Sequence, residues 1–272
     1  MPTRHLHAVD TRYWHYRQQG DTAAETALIL LHDLPRTSAV FGPLFAELGI
    51  LRPKMRILAP DIPGLGGTEP LAKSPESMLD YVPSLRAFFR EMGLRQIILY
   101  GVESGAQLAI AYANTYPDKV AHAWLDQVGH LTDADRQAMP TPDLTPRADG
   151  SHLTELWAMA EDVAQYVPWF MADEAHRISP PPLPEQTARL AETILSAGPA
   201  YMQAYRASIA HEQAENIQKL TVPTTIFQPE GGDIPPQLSA LLAHTLPTNV
   251  QIVDVPANAP ERTRIIAEQL VK

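Results

Sequence analysis

Residues 96–115 read QIILYGVESGAQLAIAYANT, and this stretch decides the fold. It opens with an apolar run, Gln96–Gly101, which is typical of a strand buried on both faces. After a short turn it continues as an apolar helix, Ser104–Thr115. A buried strand followed directly by a helix is the repeating unit of a parallel sheet covered by helices.

The same alternation extends outward in both directions. It predicts further strands at Thr26–His32, Met55–Asp61, Val120–Asp126, Val222–Phe227 and Val250–Val255, and further helices at Ser38–Leu48, Ser74–Met92, Pro236–His244 and Glu261–Val271. Pro83 is predicted to kink the second of these helices. The fold class is therefore α/β, with a mostly parallel sheet flanked by helices.

The alternation stops near Gln127 and resumes near Thr221. The stretch between them contains no convincing strand but is rich in tryptophan and tyrosine. We interpret residues 128–212 as a helical cap inserted after the sixth strand, and residues 1–127 and 213–272 as the core. Because ligands of parallel sheets bind beyond the carboxyl ends of the strands, the cap is expected to cover a pocket there.

Composition excludes several classes of function. The 272 residues carry a formal net charge of −10, which argues against nucleic acid and anionic membranes as partners. The absence of cysteine excludes disulfides, thiolate zinc sites and a cysteine nucleophile. No motif indicates a metal or a nucleotide cofactor. With a polar N-terminus and no apolar run of the ~20 residues that span a bilayer, a cytoplasmic protein is expected, and a homodimer is compatible with the sequence.

Three segments, in the right order, resemble the α/β-hydrolase superfamily. They are Leu31–Pro35 (LHDLP), similar to the oxyanion turn, Ala59–Thr68 (APDIPGLGGT), similar to a glycine-rich turn, and Gly101–Gly105 (GVESG), similar to the nucleophile elbow. The resemblance covers about residues 25–127 and the C-terminal third, and it implies an α/β-hydrolase fold. The long helical insertion is similar to the cap of the epoxide hydrolase and haloalkane dehalogenase branch.

This resemblance places Glu103, rather than a serine, at the nucleophile position of the elbow. Ser104 follows one position later, where its side chain is expected to point into the helix. His32, Asp33 and Leu34 occupy the oxyanion turn. Asp33 replaces a small glycine there, and a carboxylate beside Glu103 should raise one of the two pKa values and repel an oxyanion. Ester hydrolysis by a serine is therefore not expected.

The rest of the catalytic triad also departs from the family pattern. Asp233, after the seventh strand, resembles the triad acid, and Asp126 at the end of the sixth strand is an alternative acid. The only histidine after Asp233 is His244, which falls in a predicted helix. The segment Pro256–Glu261 stands where the family has its histidine loop. The usual base is missing.

Three interpretations of Glu103 remain open at this stage. It attacks carbon as a nucleophile, which requires a histidine from elsewhere, such as His32, His152 or His211, to complete turnover. It acts as an acid or base in an isomerase, lyase or hydrolase-like reaction. It is catalytically silent, and the fold binds a small ligand or a partner.

Aromatic and imidazole side chains of the insertion are candidates for the cap pocket. We expect Tyr201, Tyr205 and His211 to assist acid–base chemistry, and His152, Trp157 and Trp169 to line the pocket or pack the cap. For His211 a solvated or hinge position is the favoured interpretation. The expected ligand is small and fairly apolar.

Overall fold

The computed structural model describes residues 1–140, 142–231, 234–257 and 259–272, and it contains an eight-stranded sheet. The spatial order is β1-β2-β4-β3-β5-β6-β7-β8. The strands are β1 (Thr3–Val9), β2 (Arg12–Gln19), β3 (Thr26–Leu31), β4 (Ile57–Pro60), β5 (Gln96–Val102), β6 (Val120–Asp126), β7 (Thr224–Pro229) and β8 (Val250–Val255). From β4 to β8 every pairing is parallel, as the βα alternation predicted.

Helices flank this sheet on both faces. They are α1 (Gly42–Leu51), α2 (Val82–Glu91), α3 (Ser104–Thr115), α4 (Asp133–Ala138), α5 (Ser151–Gln165), α6 (Pro184–Ala197), α7 (Pro199–His211), α8 (Ala214–Gln218), α9 (Pro236–Leu242) and α10 (Ala259–Leu270). Successive residues of β3 alternate between two cores: Leu28 and Leu30 pack with α1 and α10, whereas Ile29 and Leu31 pack with α2 and α3. This two-sided burial explains why the strand is apolar throughout.

The N-terminal hairpin was not predicted from the sequence. β1 and β2 pair antiparallel, and β2 joins the sheet antiparallel to β4. In β2, Trp14, Tyr16 and Gln18 are buried while their neighbours are more exposed. The large aromatic residues Trp14 and Tyr16, two positions apart, are the part of this pattern that the sequence shows. An alternating pattern of this kind is typical of a strand with one buried face.

The helix predicted at Ser74–Met92 forms later and without a kink. A 3-10 turn covers Met78–Tyr81, and α2 then begins at Val82, with Pro83 in its first turn. The first turn tolerates proline because its N–H groups have no intrahelical partner. Pro83 therefore starts this helix instead of bending it.

Five helices, α4 to α8, lie between β6 and β7. Among the described residues of 128–212, the only β-type pairing is an isolated bridge between Tyr166 and Arg177. α5 packs on α6, and α7 packs both on α3 and on the Met78–Tyr81 turn. This contact brings the buried face of α7 over the end of β5. In the described part of the chain, no helix has the length and apolar character needed to cross a membrane.

A buried carboxylate, Asp61, organises the glycine-rich turn after β4. Its two oxygens accept the N–H groups of Ser38 (2.7 Å) and Gly67 (3.0 Å), and Nδ1 of His15 lies 2.7 Å from Oδ2. Burial by itself would raise the pKa of Asp61, but these hydrogen bonds outweigh it and lower the pKa to about 2. The carboxylate therefore connects the turn after β4, the start of the 3-10 helix Ser38–Phe41 that follows β3, and β2.

We predict that Asp61→Asn lowers the free energy of unfolding by about 2 kcal/mol at pH 7, since the folded carboxylate titrates near 2 instead of 3.8. Because the folded pKa is depressed, this contribution is complete above pH 4 and is lost as the pH falls towards 2. Urea unfolding of both proteins across this range measures the effect. Asp118→Asn, at an exposed carboxylate, is the control. Equal losses in the two variants would contradict the assignment.

Candidate active site

The elbow between β5 and α3 has a strained backbone at one residue. Glu103 has φ 51° and ψ −114°, a region that non-glycine residues rarely adopt. Its N–H donates to the carbonyl of Asp126 on β6 (2.9 Å), and its own carbonyl accepts from Ala106 and Gln107 in the first turn of α3. Such strain, held by surrounding hydrogen bonds, occurs mainly at functional positions. The register of the turn is the one predicted.

Two glycines allow the chain to turn this sharply. A Cβ at Gly105 would lie 2.1 Å from the carbonyl oxygen of Leu31, and a Cβ at Gly101 would lie 2.4 Å from the carbonyl oxygen of Gly105. Both distances are far inside van der Waals contact. Ser104, between them, is 1% exposed, and its Oγ has no hydrogen-bond partner within the described ranges.

The Glu103 side chain is half-buried by surface area, and the pKa of its carboxyl is raised to about 8. Burial is the largest cause, because a charged carboxylate loses its hydration there. The negative charges of Asp33 and Glu212 raise it further, and the nearby Arg36 lowers it. At neutral pH Glu103 is therefore mainly protonated.

Asp33 differs from the expectation in having a cationic partner. The carboxylate is buried, and Nη1 of Arg36 donates to its Oδ2 over 2.7 Å. Arg36 also feels the charge of Glu103. Sequence reasoning did not include Arg36, although an (i, i+3) acid–base pair is a readable signal. The predicted conflict between two carboxylates is thus eased by a guanidinium.

Glu212 is a second buried acid that sequence reasoning left out of the site. It follows the last residue of α7, is 7% exposed, and has its pKa raised to about 7 by burial, with Arg136 acting in the opposite direction. In the described part of the chain, the carboxyl groups of Glu103 and Glu212 form no hydrogen bond. Two carboxyl groups that titrate near neutrality therefore lie within electrostatic reach of each other.

The cap contributes two tyrosines to the surroundings of Glu103, as predicted. Tyr201 and Tyr205 lie one turn apart on α7, with ring centroids 5.9 Å from each other. Both are buried, and the charge of Glu103 raises the pKa of each hydroxyl in addition to the larger effect of burial. The Tyr201 hydroxyl has no hydrogen-bond partner among the described residues. The Tyr205 hydroxyl lies near the main chain of Trp169, which lowers its pKa slightly against the larger effect of burial. The buried indole N–H of Trp169 is, like the Tyr201 hydroxyl, unpartnered among the described residues.

His32 and Leu34 support the turn before the site. Nε2 of His32 accepts the N–H of Ile62 (2.9 Å), so the ring carries its proton on Nδ1, which lies 2.8 Å from the carbonyl oxygen of Asp33. His32 is completely buried and Leu34 is 3% exposed. Since both ring nitrogens of His32 are occupied, this histidine holds the turn after β3 in place.

Three of the predicted cap-pocket residues occupy other positions. Trp157 is 39% exposed, and its indole N–H donates to Glu161 on the same helix, so we correct its assignment to the pocket. His152 is buried, but its Nδ1 accepts the N–H of Arg147. His211 is neither solvated nor at a free hinge.

His211 is 7% exposed, and its Nδ1 lies 3.1 Å from Oε1 of Gln107 on α3. Burial lowers its pKa to about 4, with Lys219 acting in the same direction. In the described ranges no histidine is hydrogen-bonded to Glu103. The histidine that a covalent mechanism requires is therefore not supplied by His32, His152 or His211.

Asp126, the predicted alternative acid, forms an ion pair. Asp126 is 3% exposed at the end of β6, accepts the hydroxyl of Tyr100 (3.0 Å), and is paired with Arg262 on α10. Burial raises the pKa of Asp126, and Arg262 opposes that rise. Sequence reasoning did not identify Arg262. Asp233, the predicted acid, lies outside the described residues.

Metal ligation finds no support in the described part of the chain, where no group of three histidine or acidic side chains could hold an ion. His244, which follows α9, has its ring beside that of His130, with centroids 4.8 Å apart. The residues that do converge near the elbow are carboxyl, guanidinium and phenol groups. These groups transfer or share protons.

A sequence profile described as the alpha/beta hydrolase fold matches residues 26–167. No curated protein sequence matches the chain. Solved structures with a similar fold include a candidate lipase from Acinetobacter baumannii, with 18% identity, a TM-score of 0.70, and coverage of 99% of this chain and 90% of that one. An epoxide hydrolase from Vigna radiata has 16% identity, a TM-score of 0.70 and coverage of 99% and 96%.

Epoxide hydrolase A from Mycobacterium thermoresistibile has 13% identity, a TM-score of 0.68, and coverage of 100% of this chain and 97% of that one. At these identities the likeness concerns the fold alone. It confirms the predicted fold class, a mostly parallel sheet flanked by helices.

We predict that Gly105→Ala lowers the free energy of unfolding by about 2 kcal/mol or more, because the new methyl group would overlap the Leu31 carbonyl. Gly42→Ala is the matched control, since a Cβ there would have no atom within 4 Å. Chemical denaturation measures both. Similar stabilities of the two variants would show that the elbow is less tightly packed than described.

We also predict that Glu103 titrates at about pH 8, and that Asp33→Asn lowers its pKa because one negative charge is removed while Arg36 remains. Carbon-13 NMR of glutamate-labelled protein measures the titration, and Glu103→Gln identifies the resonance by its loss. A Glu103 signal that titrates at the ordinary value of 4.5 in the unmodified protein would refute this description of the site.

Proposed function

The chain belongs to the α/β-hydrolase family, and from that premise we propose that it moves protons on a small, largely apolar molecule bound beneath the cap. Glu103 acts as the general acid and Glu212 as the general base. The observation that carries this proposal is a carboxyl group at the elbow, protonated at neutral pH, near two buried tyrosine hydroxyls that have no side-chain hydrogen-bond partner among the described residues.

The reaction class that suits these groups is isomerisation, or elimination of water, next to a carbonyl. Glu212, as carboxylate, removes a proton from carbon. Glu103 delivers its proton to the substrate oxygen, which the hydroxyls of Tyr201 and Tyr205 orient. In an isomerisation the substrate loses one proton from carbon to Glu212 and gains one on oxygen from Glu103. In an elimination the C–O bond breaks as Glu212 takes the proton from carbon, and the hydroxyl leaves as water with the proton from Glu103. The two carboxyl groups exchange their protonation states, which solvent then restores.

A covalent mechanism has less support. Nucleophilic attack on carbon requires the carboxylate form of Glu103, whereas a pKa of about 8 keeps the group largely protonated. Hydrolysis of the resulting ester also needs a base that activates water. Each of the histidines considered for that task forms a hydrogen bond elsewhere.

Binding without turnover also has less support than acid–base chemistry. A purely structural glutamate at this position would be expected to form an ion pair or a hydrogen bond. Arg36 instead donates to Asp33, and the carboxyl group of Glu103 accepts no hydrogen bond within the described ranges. A raised pKa without a structural partner favours a group that exchanges protons.

The test is hydrogen exchange in D₂O with a panel of small alkyl and aryl ketones and hydroxyketones, followed by proton NMR. We expect protein-dependent loss of the signal from the carbon next to the carbonyl, and at least a ~100-fold slower loss with Glu103→Gln. Activity should rise as Glu212 deprotonates near pH 7 and fall as Glu103 deprotonates near pH 8. Glu161→Gln, at an exposed cap residue, should change neither rate nor profile.

Intact mass after incubation with epoxides and alkyl halides provides the counter-test. An adduct that Glu103→Gln abolishes would favour the covalent mechanism instead. Exchange at the same rate in Glu103→Gln would refute the role of this residue. If ketones changed the thermal stability but no hydrogen exchange occurred, the protein would bind these molecules without turning them over.

A further inference from the structure

A groove of about 650 Å³ runs along the boundary between core and cap, and Glu103 is not among its lining residues. One wall is the chain after β3, from Arg36 to Val40. The other is the proline segment Pro180–Pro182 together with α6. Its volume is in the range that holds a small organic molecule. Apart from its two charged residues, the lining is largely apolar, with Val40 37% exposed.

Both charged residues that line this groove are arginines, Arg36 and Arg189, in a chain whose net charge is −10. Arg189 is exposed, and within the described residues its guanidinium forms no ion pair. Arg36 uses one nitrogen to bind Asp33, while 44% of its side chain remains exposed. The groove is therefore a cationic site on an acidic protein.

Arg36 lines the groove and also lies within electrostatic reach of Glu103. Its inner side pairs with Asp33, which is buried, and it lies within the field of Glu103. Its exposed side lines the groove. A molecule held against the exposed side of Arg36 would therefore bind the side chain whose inner side pairs with Asp33.

We propose that this groove binds an amphipathic monocarboxylate, with the carboxylate at Arg189 and Arg36 and an alkyl or aryl body against the apolar wall. Two guanidinium groups can bind a carboxylate through charge-assisted hydrogen bonds. Prolines and Val40 offer a surface with little conformational freedom to lose on binding. The assignment goes beyond the proposed function and does not depend on turnover at Glu103.

Titration calorimetry of the full chain with phenylacetate and with its neutral analogue phenylacetamide tests the proposal. We expect phenylacetate to bind at least about tenfold more tightly at low salt, with the difference shrinking as salt is added. Arg189→Gln should remove this preference and Arg189→Lys should keep part of it. Arg206→Gln, an exposed arginine that lines a different cavity beside α7, is the matched control and should leave the preference intact.

Equal affinity for the two probes would overturn the proposal, as would a preference that survives Arg189→Gln. Glu103→Gln should bind phenylacetate as the unmodified protein does. A failure of proton exchange on ketones would therefore count against the proposed function and leave the groove assignment standing. If the unmodified protein showed no preference for phenylacetate but did show Glu103-dependent hydrogen exchange, only the groove proposal would be contradicted.

Discussion

The structure depends on how closely the first turn of α3 approaches the end of β3. Because Gly105 has no Cβ, its backbone can lie against the Leu31 carbonyl, where a Cβ would not fit. The helix can therefore start directly above the sheet. This close approach requires a positive φ at Glu103, which strains the backbone there. Hydrogen bonds of the Glu103 backbone to Asp126 and to the first turn of α3 hold this conformation. Whatever residue stands at 103 is projected towards the cap. The backbone thus positions a side chain without specifying its chemistry.

The chemistry follows from the charges that surround this position. The charges of Asp33 and Glu212 both act on Glu103, and Arg36 forms its ion pair with only one of these carboxylates, Asp33. Because burial penalises each additional charge, the proton is retained on Glu103 near neutrality. An acyl-transfer site needs donors around a developing oxyanion. This arrangement offers a protonated acid and phenol hydroxyls to a neutral oxygen instead.

An ion pair occupies the end of β6, beside the elbow. Arg262 on α10 pairs with Asp126, which Tyr100 also binds, so this carboxylate is committed to packing β6 against the last helix. β8 ends at Val255 and α10 begins at Ala259. Glu212, Tyr201 and Tyr205 lie on the cap side of Glu103, and the proton transfer that we propose takes place there.

What the sequence by itself determined was the part of the protein specified by neighbouring residues. Apolar runs and helical periodicity predict the parallel sheet, and the spacing of Gly101 and Gly105 predicts the elbow with Glu103 at its centre, because each depends on a few consecutive residues. The N-terminal hairpin was missed although its alternation was readable. Only the tertiary structure decided the proton affinity of Glu103, the burial of Glu212 beside it, and the pairing of Asp126 with Arg262. These properties arise between residues far apart in the chain, and their strength depends on how much water the fold excludes.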